Sequence, residues 1–286
     1  MPTKPQIAIV GPGRLGTALA RHLDRAGYKI TEVVHHGSVP KRAVRLLAQA
    51  VGAKVSRIAD ARLNANVIWF CVPDQQIAAA ARDLAGKVDW SCKIAFHSSG
   101  ALTSNELNVL RRNGTSAASV HPLMTFVAGA VPALQGVPFA VEGDSGAVRI
   151  ATKIVHDLGG EPFNIEPAHK VAYHAWGAFT SPLLIALLVT AEQVARSAGL
   201  SAVQARKKML PILRQTIENY SRLGPAGAFS GPLVRGDAEI VRKHLQVLKR
   251  IPKARKAYIN LASAALDGLP VQNKSRLKRL LQLQRD

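Results

Sequence analysis

Cysteine is almost missing from this 286-residue chain, which carries only Cys71 and Cys92. Two cysteines supply neither a disulfide framework nor a metal-ligand spacing, so no metal is expected and the usage fits a reducing cytoplasm. The N-terminal stretch MPTKPQIAIV lacks the charged-then-apolar layout of a signal peptide. Long apolar runs are also scarce. The most apolar uncharged run, Ala175–Ala191, is broken by Gly177 and Pro182 and falls short of the ~20 residues of a membrane span. It is expected to be a buried core helix, with no membrane partner. Acidic residues are few: 18 Asp and Glu stand against 38 Lys and Arg, a net charge of +20. Residues 203–286 hold 18 of the basic and 5 of the acidic residues, a surplus of 13. Such a surplus suits nucleic acid or an anionic surface. The chain nevertheless has no aromatic-rich basic strand, no helix-turn-helix spacing and no Cys/His finger. Charge alone gives only non-specific binding, so nucleic acid is not an expected partner, and the basic residues read as a solvated face.

The length suggests two domains. The most informative stretch is QIAIVGPGRLGTALARHLDRAGYKITEVV. Ile7–Val10 is a short apolar, β-branched run suited to a buried parallel strand. Gly11-Pro12-Gly13-Arg14-Leu15-Gly16 follows, then Leu15, Leu19, Ala20 and Leu23 at helical spacing, a stop at Gly27, and a second strand at Ile30–Val34. Strand, glycine turn, helix and strand in this order is the context a dinucleotide fingerprint requires. Gly11 permits the tight turn, Gly13 lets the backbone approach a pyrophosphate, and Gly16 allows close helix–sheet packing. The helix N-terminus turns its unpaired N–H groups toward the phosphates.

An NAD site usually places an acid after the second strand. Here the chain reads His35-His36-Gly37-Ser38, then Lys41, Arg42 and Arg45, and Glu32 lies within the strand. Hydroxyl and cationic groups suit a 2′-phosphate, so NADP is expected over NAD, with His36 and Ser38 as contacts. Val67–Val72 is another buried strand, running into Pro73-Asp74. Val72 and Pro73 are therefore expected beside the cofactor. KIAFHSSGAL and SAASVHPLMTF add strands ending at His97-Ser98-Ser99 and at His121-Pro122. Ligands of open parallel sheets bind beyond such carboxyl ends. Thr103 and Glu106 fit a capping box. VPFAVEGD and EPFNI complete the sheet, with a helix at about 145–158 between them.

After Pro167 the apolar period is helical throughout, with helices read at 167–198, 201–222, 237–249, 252–267 and 273–284. The fold class is thus α/β: a Rossmann-type, doubly wound, mainly parallel sheet over 1–165, then an all-α domain over 166–286. Lys170 and His174 are four apart and share a helix face. The stretch FSGPLVRGD, Phe229–Asp237, breaks the helical pattern. Asp237 is placed to cap the next helix and Arg235 to be held rigidly.

The blocks IAIVGPGRLGTALA, FHSSGAL, VHPLMTF, KVAYHAWGAF, LPILRQTIENY and GPLVRGDAEIVRKHL resemble a family of Rossmann-like oxidoreductases whose C-terminal half is a domain of unknown function. This family lies near prephenate dehydrogenase, pyrroline-5-carboxylate reductase and ketopantoate reductase. The resemblance implies an NADP-dependent oxidoreductase transferring hydride to or from a small, anionic carbonyl, imine or hydroxy substrate. Related enzymes carry a lysine and, four residues later, an asparagine where Lys170 and His174 stand. Lys170 is implied as acid/base or polarising group, with His174 or His121 second. His121-Pro122 is similar to a His-Pro at the substrate site of prephenate dehydrogenases. Ser98 and Ser99 are expected to donate hydrogen bonds. Arg235 and Asp237 are expected at the cleft edge as substrate contacts, or else as a packing signature. Pro182 stands where the family more often has asparagine. A homodimer through residues 175–195 is also implied. The rival reading is a non-catalytic NADP(H)-binding sensor.

Overall fold

The computed structural model describes residues 4–283. The first residues of the expected 1–165 domain, Met1–Thr3, and the end of the last predicted helix at Gln284 therefore lie outside the described residues. Two compact units divide at Ala178 and Phe179.

The first unit is built on one eight-stranded sheet, in the order β3-β2-β1-β4-β5-β6-β7-β8. The strands are β1 (Ile7–Val10), β2 (Ile30–His35), β3 (Lys54–Arg57), β4 (Val67–Phe70), β5 (Ile94–His97), β6 (Ser116–Pro122), β7 (Pro138–Gly143) and β8 (Glu161–Asn164). All neighbours are parallel except β6 and β7. The chain order reverses between β1 and β4, which opens a crevice above the carboxyl end of β1. Helices α1 (Arg14–Arg25), α2 (Arg42–Ala50) and α5 (Ser145–Asp157) cover one face; α3 (Asp74–Ala85) and α4 (Asn108–Arg111) cover the other. Strand alternation sorts the core. Ile7, Ile9, Val67 and Trp69 pack toward the first layer, while Ala8, Val10, Ile68 and Phe70 pack toward the second. Helix α6 (Lys170–Thr180) begins in this unit and buries Lys170 and Tyr173.

The second unit holds α7 (Pro182–Ser197), α8 (Ala202–Ala228), α9 (Ala238–Leu248), α10 (Pro252–Gly268) and α11 (Lys274–Gln282). Val241, Leu245, Ile259, Leu266, Leu277 and Leu281 form its core. A capping box of Ser201 and Gln204 opens α8. The helix deviates at Gly224, where the backbone turns to φ 70° ahead of Pro225.

Three expectations are corrected. The run 175–191 is not a buried core helix: it is split at Ser181 by Pro182, and no α7 residue is buried among those described. Its large apolar side chains Trp176, Phe179, Leu183, Ile185, Leu187 and Val189 are exposed. The capping box of Thr103 and Glu106 does not form. Thr103 precedes a 3-10 turn, Ser104–Leu107, and makes no side-chain cap bond. Glu142 instead accepts the Ser104 backbone N–H at 2.6 Å and its hydroxyl at 3.0 Å. Asp237 sits at the N-cap of α9 without capping it, because its carboxylate is taken by Arg235 at 3.0–3.1 Å.

Candidate functional site

The glycine turn has the geometry its sequence dictates. Gly11 adopts φ +93°, and a Cβ there would lie 2.6 Å from Val72 Cγ1. A Cβ on Gly16 would strike the Gly11 carbonyl oxygen, with Cys71 Cβ at 3.0 Å. A Cβ on Gly13 would meet nothing within 4 Å. Open space over Gly13 and contact under Gly11 and Gly16 is the pattern that leaves room for a pyrophosphate while sealing the turn to the sheet. Gly13 is the N-cap of α1 and offers no side-chain acceptor, so the helix N–H groups are free for an anion. A cavity of about 340 Å³ lies over this turn, lined by Gly11, Pro12, Gly13, His36, Val72 and Pro73 among others. Of the remaining predicted cofactor residues, Arg14 is exposed, Leu15 packs on the core, and Ser38 lines a neighbouring cavity.

Glu32 does not face a ribose site. Its buried carboxylate accepts the backbone N–H groups of Leu63 at 2.8 Å and Arg62 at 3.4 Å. It pins the loop that leads into β4.

Further along the sheet, the ends of β5 and β6 meet α6. Lys170 is fully buried. Its ammonium donates to Ser119 Oγ at 2.7 Å and to the Ser99 carbonyl at 3.2 Å, with Glu142 Oε1 at 4.0 Å. Glu142 reaches this point because antiparallel β7 pairs it with Ser119. Burial pulls the Lys170 amine below its ordinary range, and the carboxylates of Glu142 and Asp74 partly offset it. Ser99 Oγ donates to Asp74 at 2.8 Å and accepts from the backbone N–H groups of Ala101 and Leu102. Ser98 Oγ accepts the Trp69 indole N–H at 2.7 Å. His97 donates from Nε2 to the Thr103 carbonyl and accepts the Ser99 N–H at Nδ1. Desolvation pushes its pKa down to about 4.

His121 and His174 meet over the Gly100 loop. A Cβ on Gly100 would lie 2.7 Å from His174 Cδ2 and 2.9 Å from His121 Nε2. Only glycine lets both rings close over this loop. His121 Nδ1 is 2.9 Å from the Tyr173 hydroxyl, and the two histidine rings are 6.1 Å apart. Burial is the chief cause holding His121 down at about 4, with the charges of Lys170, His174 and His97 adding to it. Burial likewise pushes the Tyr173 phenol up to about 12. At neutral pH the pair is therefore an uncharged imidazole and an uncharged phenol. The phenol donates to Nδ1 when the imidazole proton is on Nε2.

The structure thus gathers Ser98, Ser99, His121, Lys170 and His174, with His174 exposed and Lys170 enclosed. Arg235 and Asp237 lie in the other unit and pair with each other. Their loop is pinned by a bond from the Gln272 N–H to the Val234 carbonyl. Tyr173, Gly100 and Glu142 are the site residues that sequence reasoning missed. Tyr173 had a signal, three residues after Lys170 on the same helical face.

Residues 1–122 match a Rossmann-like domain, and residues 137–265 match a domain of unknown function, DUF2520. A Bacteroides fragilis structure described as a candidate NADP oxidoreductase is 22% identical, with a TM-score of 0.77 over 91% of this chain and 97% of that one. A reductive aminase from Aspergillus terreus, in complex with NADPH and ethyl-5-oxohexanoate, is 17% identical, with a TM-score of 0.66 over 97% and 99%. A pyrroline-5-carboxylate reductase from Coxiella burnetii is 14% identical, with a TM-score of 0.59 over 92% and 98%. Identities this low establish a shared fold. With its sheet, its glycine turn and both matches in chain order, the chain carries a Rossmann-like domain followed by a DUF2520 domain.

Proposed function

We propose that the protein is a cytoplasmic, NADP-dependent oxidoreductase acting on a small, anionic carbonyl, imine or hydroxy compound. The observation that carries this reading is His121 Nε2 lying against Gly100, at the carboxyl ends of β5 and β6 and on the same sheet as the glycine turn. The residues of that turn fit a dinucleotide: open space at Gly13 for a pyrophosphate, and uncapped helix N–H groups behind it. A nicotinamide dinucleotide, when bound, supplies or accepts the hydride.

The chain's own contribution is binding, orientation and a proton. His121 presents Nε2–H to the substrate oxygen or nitrogen, and Tyr173 fixes the tautomer from behind. Lys170, the first choice on sequence grounds, fits a positioning role. Its fully enclosed ammonium ties Ser99 to Ser119 and so holds the loop on which Gly100 sits. The positive charge of the chain favours anionic substrates by steering. A pure NADP(H) sensor has no use for an uncharged His–Tyr pair, so the enzyme reading is preferred. The reading also includes a homodimer, in which a second copy covers the open apolar surface of α7 and α8.

The test is calorimetric titration with NADPH and NADH, followed by a panel of keto acids and cyclic imines scored by NADPH absorbance. Tight dinucleotide binding with turnover of any panel member supports the enzyme. Binding without turnover across the panel favours the sensor, and no binding of either dinucleotide removes the proposal.

A further inference from the structure

The break FSGPLVRGD gives two of its residues, Phe229 and Leu233, to the lining of a cavity of about 560 Å³. Every residue that lines this cavity belongs to the second unit, and its volume is that of a small-molecule site. Helix α7 faces it with Leu187, Ala191 and Val194, one stripe at helical spacing. Helix α10 faces it with Ala254, Ala257, Ala262 and Ala265 among others. Methyl groups stand where larger side chains would reach across, and the space stays open. The polar groups of the lining are already paired. The Thr190 hydroxyl donates to the Ala186 carbonyl of its own helix at 2.9 Å, and the Tyr258 hydroxyl pairs with His244 Nδ1 at 3.2 Å. An occupant of this space therefore gains by burying hydrocarbon.

The walls carry charge of one sign. Between Glu239 and Asp267 the chain has seven Lys and Arg residues and no acid. That stretch spans α9 from Ile240 onward and α10 as far as Leu266. Glu239 itself is held by Arg242 at 2.6 Å. Lys243 directly precedes the lining residue His244, and Lys253 directly precedes Ala254. A positive field around an apolar hollow favours an occupant with negative charge beside its hydrocarbon. Two other occupants fit less well. A second copy that pairs this surface with itself about a two-fold axis brings the same cations face to face. A helix about 10 Å wide fills the volume with little more than one turn, whereas an extended alkyl chain lies along it.

We propose that the helical unit binds a free single-chain amphiphile with an anionic head, of the class of long-chain carboxylates. The alkyl chain occupies the cavity, and the head lies among the cations of α9 and α10. The site shares no residue with the oxidoreductase centre proposed above, so the two readings stand or fall separately.

The experiment is calorimetric titration of the full-length protein with dodecanoate, octanoate, dodecanol and dodecyltrimethylammonium, each below its micelle concentration, with light scattering of the same samples. Dodecanoate is expected to bind saturably. Octanoate is expected to bind about a hundredfold more weakly, the loss of four buried methylenes. Ala257→Phe puts a ring into the hollow and is expected to weaken dodecanoate about tenfold or more, with a melting temperature near that of wild type. The double variant Lys243→Glu, Lys253→Glu keeps the hollow. It is expected to weaken dodecanoate about tenfold and to bind dodecanol as wild type does. A wild type that takes up no dodecanoate overturns the proposal. Equal affinity for dodecyltrimethylammonium overturns the anionic head, and undiminished binding by folded Ala257→Phe overturns the cavity. Dodecanoate bound by the monomer but excluded from a dimer gives the cavity to a second copy. Co-sedimentation with anionic vesicles without uptake of free dodecanoate gives the surface to a membrane, and either result overturns the free amphiphile.

Discussion

The Lys170 ammonium lies 2.7 Å from Ser119 Oγ and is fully sealed from solvent. This bond joins the first residue of α6 to the middle of β6, and the companion bond to the Ser99 carbonyl adds the loop after β5. A lysine placed so is a fastening between three segments. Removing it takes the nearby cation from the buried Glu142 carboxylate, which keeps only its bonds from Ser104, and deprives Ser119 Oγ and the Ser99 carbonyl of one donor each.

Lys170→Met should therefore lower the unfolding free energy by about 3 kcal/mol, the scale of breaking a buried charge pair. Urea denaturation at pH 7 measures it. NADPH affinity should be preserved in the folded fraction, because the glycine turn belongs to β1 and α1. A variant of full stability that has lost only turnover would show instead that the lysine acts on the substrate directly.

Tyr173 holds His121 by one hydrogen bond of 2.9 Å. Tyr173→Phe keeps the ring that packs against Phe163 and Trp176 and deletes only the hydroxyl. It should reduce kcat by about tenfold. His121→Asn should reduce it by ~10²-fold or more, the usual worth of a positioned acid or base. NADPH Kd should be unchanged in both. Steady-state kinetics on whichever substrate the panel yields, beside calorimetry, separates the two effects. Unaltered kcat in His121→Asn would remove the histidine from the chemistry.

The Rossmann half was legible because its signals are local. The glycine turn, the β-branched runs of β1 and β4 and the acid missing after β2 are each read from a few consecutive residues. The hidden parts depend on the third dimension. β3 reads Lys-Val-Ser-Arg, with one apolar residue, because an edge strand needs only one inward face. The reach of Glu142 to Lys170 depends on the antiparallel pairing of β7 with β6, which no local pattern states. Ser98 and Ser99 read correctly as strand-end serines, yet their hydroxyls serve Trp69 and Asp74. The period of 175–191 announces a helix correctly but says nothing of what covers it.

His97 makes stability depend on pH. Its folded pKa is depressed to about 4 from 6.5, so between these values the unfolded chain binds more protons than the folded one. Stability from this group is then complete above about pH 6.5 and is lost as pH falls toward 4. The loss is on the order of 3 kcal/mol. Protonation also removes the Nδ1 acceptor of the Ser99 N–H. Urea midpoints at pH 7.5 and 4.5 should differ markedly in wild type, and less in His97→Gln. Parallel pH profiles in the two proteins would refute the assignment.

Gly13 and Gly16 separate ligand space from packing space. Gly13→Ala adds a methyl where the structure has nothing within 4 Å. It should fold with an unchanged melting temperature while losing about tenfold or more in NADPH affinity, because the backbone must approach the pyrophosphate there. Gly16→Ala places its methyl on the Gly11 carbonyl and should destabilise the free protein by ~1–3 kcal/mol. Differential scanning calorimetry with and without NADPH reads both. Equal melting losses in the two variants would contradict the division.

The apolar surface of the second unit calls for a cover. Ile185 on α7 is 59% exposed, and Ile212 and Ile217 on α8 are 68% and 62% exposed. Residues 167–197 are apolar and long enough to pass as a membrane span, and none of their most apolar window is buried. A monomer in water rarely carries so continuous a patch. The patch is shared by two helices that pack on each other, and Arg206 of α8 is salt-bridged to Glu192 of α7 at 2.9 Å. A charged pair across the packed helices suits water more than lipid, so a second copy is the favoured cover. Multi-angle light scattering without detergent should give twice the 30.6 kDa of the chain. Ile185→Glu should shift the mass toward the monomer, since a carboxylate buried at an interface without a partner is strongly unfavourable. Wild type eluting as a monomer would defeat the dimer. Recovery of wild type only in detergent, or its co-sedimentation with neutral lipid vesicles, would give the surface to a membrane instead.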